Sequence, residues 1–516
     1  MGKLKKSNSK NKLLKFMRKY HKWPGIALTI FILFFATSGI IMNHRNVFSS
    51  VDIPRKCLPS DYRIENWNLA SVKSAVQISP DDIIIYGNIG AWLTNNKLDK
   101  FIDFNEGFPK GIDNRKVESM QLTRDGRLLA GTIFGLFEYD GKKWNEINIP
   151  VKEKQITEII QHNDDIYIMT RSELLITSDL ESFSLKILPP PDGYDNKVSL
   201  FKTLWTLHSG EMFGKWGIYA VDIFGLALIF LALSGLMHWI FPKWIKKRRE
   251  KGKPRAKMIK SMLSNLKWHN RVGYLSVFFL IFVAITGMFL RPPLLIPIVN
   301  SKVKKIPYSK MDTPNAWYDN LRRIIWDDNL NSFMVSTTEG FFLFDEKFKN
   351  PAKPLPIQPP VSVMGCTVLE KVDNLPSFYV IGSFNGLFLW DITSGRIFDY
   401  LIGRPHDIHQ KITMPISPYL VSGYIETNEG ILVFDYSNGI IPLTEYEYKI
   451  EMPQGIIDNT PMSLWNVALE VHTGRIFNHL IGQVYVLYVP LVGLTLIIVL
   501  ISGFFIWWMA HRKRRK

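Results

Sequence analysis

Two short sequences repeat a histidine, a hydroxyl group and a glycine: LHSG at 207–210 and VHTG at 471–474. Each precedes a long apolar run, and eight of the eleven histidines lie at the ends of such runs. Neutral imidazole is a common axial ligand of haem iron, and two imidazoles on opposite faces give a low-spin centre suited to electron transfer. These eight are His21, His44, His208, His238, His269, His472, His479 and His511.

The chain contains no C-x-x-C-H sequence, so a haem would be bound non-covalently, as b-type. The alternative is that these histidines favour the headgroup layer of a membrane, as tryptophan and tyrosine do. The location of each histidine along its membrane helix distinguishes the two interpretations, so the helices must be identified first.

Four apolar runs, at about 24–42, 217–241, 272–290 and 484–508, are long enough to cross a bilayer. The formal net charge of +17 could indicate nucleic-acid binding, but its placement argues against that partner. Segments 1–22, 243–271 and 512–516 contain nine, twelve and five of the 63 basic residues, with Glu250 as their one acid. The positive-inside rule therefore predicts a multi-pass membrane protein with both termini and the 243–271 loop in the cytoplasm.

This interpretation divides the chain into alternating cytoplasmic, transmembrane and extracytoplasmic segments. The predicted segments are a basic N-terminus 1–23, transmembrane helix 24–44, β-rich segment 45–215, transmembrane helix 216–242, basic loop 243–271, transmembrane helix 272–291, β-rich segment 292–483, transmembrane helix 484–510 and basic tail 511–516.

The sequences of the four predicted helices indicate an internal duplication. KYHKWPGIALTIFILFFATSGIIM and KWHNRVGYLSVFFLIFVAITGMFL align without a gap, and the second and fourth runs with their flanks align around a four-residue insertion. Two halves of the same topology should pack about a pseudo-two-fold axis along the membrane normal. The matched pairs are His21 and His269, Gly25 and Gly273, Gly39 and Gly287, His208 and His472, Gly225 and Gly493, and Gly235 and Gly503.

The histidines define two levels, which predicts two haems, one per leaflet. His21, His269 and His238 should lie near the cytoplasm, and His44, His208 and His472 near the exterior. Repeat symmetry pairs His21 with His269 and His208 with His472, although His44 and His238 could each replace one ligand. A flat porphyrin needs small residues beside it, whereas helix packing in membranes favours small residues in any case. The glycines at issue are Gly25, Gly273, Gly39, Gly287 and Gly235.

Asp222 lies near the start of the second apolar run, at a position that Pro490 occupies in the other half. An ionisable group there is costly and suggests a proton partner or a hydrogen bond to a histidine. The plainer expectation, which we favour, is an interfacial ion pair with Lys215 or Arg45.

The two extracytoplasmic segments repeat a second pattern, as in LLAGTIFGLFEYDGKKW and YVIGSFNGLFLWDITSGRI. Apolar strands that alternate with polar turns predict antiparallel hairpins. The pattern resembles the GTxxGL blades of two-component-regulator β-propellers, and we expect one propeller-like β domain built from both halves, with two separate β domains as the alternative. Cys57 and Cys366 lie one in each segment, where a disulfide or two free thiols are equally compatible. RPHDIH, with His406 and His409, is interpreted as a loop.

The sequences KYHKWPG, KWHNRVG, LHSGEMFG and VHTGRIFN, each beside a helix with paired small residues, are similar to the PepSY-associated transmembrane helix family of bacterial iron-regulated membrane proteins. The resemblance covers about a third of the chain and does not extend to a PepSY domain. It implies a haem-containing ferric-siderophore reductase in the bacterial cytoplasmic membrane, with its β domain in the periplasm. It also implies outer-membrane iron-uptake partners.

No nucleophile elbow, phosphate loop, zincin helix or dinucleotide fingerprint is present, so no catalytic residue is assigned and a separate electron donor is required. We therefore expect an oxidoreductase that passes electrons through two b-type haems to a ferric complex on the outer face. The main alternative is a non-enzymatic sensor or scaffold whose helices only anchor its β domain. A transporter subunit is disfavoured, because the helices are few and mostly apolar.

Overall fold

The computed structural model describes residues 2–361, 365–373, 375–406, 417–444 and 449–512. The chain forms two compact units. The helical unit comprises Met1–Phe48, Asn196–Asp312 and Leu464–Lys516, and the β unit comprises Ser49–Asp195 and Thr313–Ser463. The two β-rich segments therefore contribute to one β unit, not to two separate β domains.

The apolar runs fold as helices because a helix satisfies every backbone polar group within one segment. Among the described residues, four segments are long and apolar enough to be candidate membrane spans, in agreement with the four predicted from sequence: Lys12–Asn43, Glu211–Glu250, Ala256–Phe289 and Arg475–His511. The helices are α1 (Gly2–Asn43), α2 (Arg45–Phe48), α3 (Leu200–Ser209), α4 (Gly214–Glu250), α5 (Ala256–Phe289), α6 (Gln454–Asp458), α7 (Leu464–Thr473), α8 (Asn478–Ile481) and α9 (Tyr488–Arg512).

The helices extend beyond the apolar runs at their basic ends. Helix α4 continues to Glu250 and α5 begins at Ala256, so most of the 243–271 segment that we interpreted as a loop is helical. Lys, Arg and Met are good helix formers, and a charged helix outside the hydrocarbon region loses nothing by continuing. The part of the predicted 511–516 tail beyond Arg512 lies outside the described residues.

The long helices form a four-helix bundle. Helices α1 and α5 each pack against both α4 and α9, so they occupy opposite corners of the bundle. Leu28 and Ile32 of α1 pack with Ala232 of α4 and Val499 of α9 in its apolar core. The two matched helices α1 and α5 therefore face each other across the bundle.

Helices α3 and α7 are short, and each carries one of the repeated histidine motifs in its last turn. Gly210 and Gly474 follow them with φ of 84° and 77°, the left-handed conformation that ends many helices and that glycine adopts without steric cost. The glycine of LHSG and VHTG is thus a helix terminator. Helix α3 packs against α5 and α7 against α1, which brings each motif to a long helix of the bundle.

The β unit contains six antiparallel sheets whose strands follow the hairpin pattern seen in the sequence. They consist of β2 (Ser74–Gln77), β3 (Asp82–Gly87), β4 (Gly90–Asn95) and β5 (Phe101–Asp103); β6 (Val117–Leu122), β7 (Leu128–Thr132), β8 (Leu136–Tyr139) and β9 (Trp144–Ile147); β10 (Ile156–His162), β11 (Asp165–Thr170), β12 (Leu174–Thr177) and β13 (Ser184–Lys186); β16 (Leu321–Asp327), β17 (Ser332–Thr337), β18 (Gly340–Asp345) and β19 (Lys353–Pro354); β20 (Val368–Lys371), β21 (Phe378–Ser383), β22 (Gly386–Asp391), β23 (Ile397–Asp399) and β24 (Arg404–Pro405); and β25 (Val421–Thr427), β26 (Gly430–Asp435) and β27 (Gly439–Pro442).

Two further strand pairs join distant parts of the chain. Strand β1 (Asp52–Ile53) pairs with β28 (Met462–Ser463) in the β unit, and β14 (Lys197–Ser199) pairs with β15 (Lys302–Lys304) in the helical unit. Each pair thus joins two segments of one unit that are far apart in the sequence.

The six sheets contact one another in sequence order through their first strands. The order is β2, β6, β10, β16, β20 and β25, and β25 also contacts β2. Trp67 and Ile85 from the first segment pack with Ile425 and Phe434 from the second in one buried cluster. Burial of each such side chain stabilises the fold by about 1.5–3 kcal/mol, so the last sheet holds the first in place.

A buried ion pair ties sheets of the two segments together. The Arg323 guanidinium on β16 donates to Glu158 on β10, and its Nη1 also donates to the Thr367 carbonyl at 2.9 Å. Ser119 Oγ on β6 donates to the other Glu158 oxygen at 2.5 Å. Both charged side chains are largely buried, at 12% and 8% exposure, so Glu158 depends on Arg323 for compensation. Arg323 has a second, more distant carboxylate in Glu370, at 3.9 Å.

Replacing Glu158 with Gln, or Arg323 with Met, should destabilise the β unit by about 3 kcal/mol. The first change leaves Arg323 with the more distant Glu370 carboxylate, at 3.9 Å, and the second leaves Glu158 buried without its cation. The matched control is Glu138→Gln. The side chains of Glu138 and its partner Arg127 are each 29% exposed, so this change should cost less than about 1 kcal/mol. Thermal unfolding of the full-length protein in detergent measures both. Equal losses for Glu138→Gln and Glu158→Gln would contradict the assignment.

Candidate histidine site

The histidines of the two short helices lie next to each other, and we call His208 and His472 the short-helix pair. Their ring centroids are 6.0 Å apart. His208 Nδ1 lies 3.0 Å from the Val283 carbonyl oxygen on α5. His472 Nδ1 lies 3.0 Å from Ser38 Oγ on α1. The two imidazoles are thus held by opposite corners of the bundle.

His21 on α1 and His269 on α5 form a second pair, the long-helix pair, with ring centroids 6.2 Å apart. His21 Nδ1 lies 2.9 Å from the Val499 carbonyl oxygen on α9. His269 Nδ1 lies 2.8 Å from Ser234 Oγ on α4. The structure therefore brings together both pairs that repeat symmetry predicts.

In all four histidines, Nδ1 is the nitrogen that is already bound. The Nδ1 partners of His21 and His208 are carbonyl oxygens, and the Phe35 carbonyl also lies 3.2 Å from His472 Nδ1. A carbonyl only accepts, so these three rings donate Nδ1–H and keep their lone pair on Nε2. Nε2 is therefore their available ligand atom, in the orientation that metal-bound histidines usually receive from a partner on their other nitrogen. The Ser234 hydroxyl beside His269 can accept or donate and is compatible with the same tautomer.

Each imidazole packs directly against a glycine of a neighbouring long helix. A Cβ at Gly287 would lie 2.7 Å from His208 Cε1, and one at Gly39 would lie 3.3 Å from His472 Cε1. A Cβ at Gly503 would lie 2.7 Å from His21 Cε1, and one at Gly235 would lie 3.5 Å from His269 Cε1. An added Cβ at Gly287, Gly503 or Gly39 would therefore crowd the ring, whereas one at Gly235 would make an ordinary van der Waals contact.

Two of the glycines predicted to lie beside a haem, Gly25 and Gly273, do not contact the paired histidines. At Gly25 a Cβ would meet Val499 at 3.8 Å, and at Gly273 it would meet Leu231 at 3.7 Å, both ordinary contacts between helices. Gly503, which we did not single out, takes the place beside His21. Its alignment with Gly235 was the signal that could have identified it.

His44 and His238 lie outside both pairs. His238 is exposed on α4. His44 Nε2 lies 2.6 Å from Asp222 Oδ2, and Asn43 Nδ2 donates to Asp222 Oδ1 at 3.1 Å. The structure thus gives Asp222 the hydrogen bond to a histidine that was one of the expectations from its position. This contact forms because α1 and α4 pack along their length, so the end of α1 lies beside the start of α4.

The remaining predicted residues take no part in the histidine site. His406 lies against Phe388 in the β unit, and His409 is outside the described residues. Across the described ranges, no group of three or more His, Cys, Asp or Glu side chains is arranged to hold a metal ion. Both cysteines are free, with Cys57 exposed and Cys366 buried.

Comparison with known proteins finds one family. The profile of the PepSY-associated TM region matches residues 178–510, more than half of the chain. None of the curated proteins compared with the chain matches it.

Several solved structures share a distant likeness. The extracellular domain of a protein described as a hybrid two component system, BT4673 of B. thetaiotaomicron, is 12% identical, with 72% of this chain and 32% of that chain covered and a TM-score of 0.35. PorZ, a surface component of the type-IX secretion system of Porphyromonas gingivalis, is 12% identical, with 71% and 37% covered and a TM-score of 0.31. The chain spans about a third of the length of these structures, and likenesses at this level carry no argument about function.

The close approach of His208 to Gly287 can be tested by adding one methyl group at the glycine. Gly287→Ala should destabilise the helical unit by about 1–3 kcal/mol, because the new Cβ must displace His208 from its seat. Gly273→Ala is the matched control on the same helix, since its Cβ would make only an ordinary contact. Thermal unfolding in detergent should show a lower midpoint for Gly287→Ala alone, and an equal midpoint for the two variants would refute the close seat.

Proposed function

The chain belongs to the PepSY-associated TM family, and from the geometry of its histidines we propose that the helical unit binds two b-type haems and passes electrons across the membrane. His208 and His472 hold one haem, and His21 and His269 hold the other. The protein acts as an oxidoreductase toward an acceptor on the side of the β unit.

The distance within each histidine pair supports the proposal and is the observation that carries it. An imidazole nitrogen lies about 2 Å from a bound transition metal and the ring centroid about 1 Å further, so two rings on one metal have centroids about 6 Å apart. The pairs stand at 6.0 Å and 6.2 Å. Each ring also has its Nδ1 occupied and its Nε2 free, which is the donor set that a bis-imidazole centre requires.

The positions of the pairs along the bundle support two centres at different depths. His21 and Gly39, the seat of His472, are eighteen residues apart on α1. At a rise of 1.5 Å per residue, this corresponds to about 27 Å along the helix. Two haems at these levels would supply one-electron transfer from one side of the membrane to the other. The apolar helices would exclude water from the path, and the imidazoles would fix the orientation of each centre.

The orientation and the acceptor are further parts of the proposal. The concentration of Lys and Arg in 1–22 and 243–271 favours a cytoplasmic location for these segments, which puts the β unit outside, in the periplasm. A separate donor delivers electrons to the long-helix pair. A ferric complex, of which a ferric siderophore is the family-level candidate, accepts them beside the short-helix pair.

We also infer that the β unit is a six-bladed propeller and that the chain arose by duplication. The contact between β25 and β2 supports a closed ring of six sheets. Residues that the internal alignment matches make equivalent contacts: Gly39 lies against His472, and Gly287 lies against His208. A closed ring built from both segments would fix the two halves of the chain to each other outside the membrane.

Purification in detergent from haem-replete cells should give a coloured protein with two haems per chain and a reducible Soret band. Changing His208 or His472 to Ala should remove one haem, and changing His21 or His269 to Ala should remove the other, because each centre loses an axial ligand. Haem content by the pyridine haemochrome assay and reduced-minus-oxidised spectra measure this.

His479→Ala is the matched control, because His479 is exposed and outside both pairs. It should retain two haems. A colourless wild-type protein would contradict the proposal and favour the sensor or scaffold instead, and so would a haem content that none of the four ligand variants changes.

The orientation can be tested with the native cysteines. Cys57 is exposed and Cys366 is buried, so a membrane-impermeant maleimide should label Cys57 alone in intact spheroplasts. Cys57→Ser should abolish the labelling, and Cys366→Ser should leave it unchanged. Labelling that appears only after the membrane is permeabilised would place the β unit in the cytoplasm and reverse the proposed direction.

A further inference from the structure

We infer that His44 and Asp222 form a proton-binding pair that takes up a proton when the centre held by His208 and His472 is reduced. This inference rests on the proposed function and adds a proton to its electron transfer. The pair belongs to neither histidine pair, and the bis-imidazole arrangement does not need it.

The pair is close and partly shielded from water. His44 Nε2 and Asp222 Oδ2 are 2.6 Å apart, and the side chains are 28% and 13% exposed. A carboxylate in a membrane-spanning helix is costly, and an imidazole bonded to it offsets that cost.

One side chain connects this pair to the ligand His208. Asn43 Nδ2 donates to Asp222 Oδ1 at 3.1 Å and to the Ser209 carbonyl oxygen at 3.2 Å. Ser209 is the residue that follows His208 at the end of α3. The pair is therefore linked to the short-helix centre through one amide side chain and one peptide unit.

The arrangement occurs in one half of the chain. By the internal alignment, the counterparts of His44 and Asp222 are Pro292 and Pro490, and the counterpart of Asn43 is Arg291. In the other half, Arg475 Nε donates to Glu470 at 2.9 Å. The pair is therefore a feature of one half, at the end of α1 and the start of α4, and the other half has no aligned equivalent.

The groups around His44 allow its charge to respond to the centre. Asp222 and Tyr219, whose ring is 6.4 Å from the imidazole, face it from α4. The neighbouring Arg45 lies over the Trp465 ring of α7 at 3.9 Å. An electron that arrives at the buried centre adds a negative charge in a medium of low dielectric constant, where opposite charges attract strongly. Protonation of the pair compensates that charge.

The step is balanced without another reactant. If one electron from the donor reduced a haem held by His208 and His472, one proton would move from water to the His44–Asp222 pair. When the electron leaves for the acceptor, the proton is released to the acceptor side. No bond between heavy atoms forms or breaks.

Redox titration of the haem-loaded protein over a range of pH tests the inference. In the wild type, the midpoint potential of the short-helix centre should fall as pH rises, because the reduced state binds the proton more tightly. Asp222→Asn and His44→Gln should each abolish this shift, although both retain hydrogen-bonding side chains and a purely structural link would survive them. The long-helix centre provides the internal control, and its pH dependence should be the same in all three proteins.

The assignment of each potential follows from the ligand variants, since His208→Ala removes the short-helix centre. A wild-type potential that does not change with pH overturns the inference, and so does a pH shift that persists in both variants. Either result leaves the proposed function intact. A protein without haem would instead overturn the proposed function.

Discussion

The hydrogen bond on Nδ1 of each paired histidine is the constraint on which the site depends. Val283 and Val499 supply it through carbonyl groups, and Ser38 and Ser234 supply it through hydroxyls. A histidine without such a partner could rotate or change tautomer, and its free nitrogen would have no fixed direction. With the partner in place, the ring position follows from the packing of the helices, and the four-helix bundle becomes a scaffold that presents two sets of paired nitrogens.

The glycines and the short helices follow from the same constraint. An imidazole can reach a carbonyl of the adjacent helix only where no Cβ stands in its way, and at Gly287 and Gly503 an added Cβ would lie 2.7 Å from the ring. The short helices must also end immediately after their histidine, so that the chain can enter the next membrane span. Gly210 and Gly474 make that turn possible, which explains the repeated histidine–hydroxyl–glycine sequence.

Internal alignment made the pairing of His21 with His269, and of His208 with His472, predictable from sequence. The hydrogen-bond partners were not, because they depend on which helices are neighbours in the bundle and at what height they cross. Gly503 was missed for the same reason, although its matched partner Gly235 was identified. The contact between His44 and Asp222 joins the end of one helix to the start of another, and sequence patterns within a single helix carry no information about it. In the β unit, the strands were visible as alternating patterns, whereas the contact between β25 and β2 arises only once both segments are folded together.

The central claim is that two imidazoles bind one iron at each of two levels. Electron paramagnetic resonance of the oxidised, detergent-purified protein tests it most directly, because axial ligation by two histidines gives low-spin ferric iron. The account predicts two low-spin signals of equal intensity per chain, one absent from His21→Ala and the other absent from His472→Ala. A spectrum that shows only high-spin ferric iron, or no ferric signal at all, would contradict it.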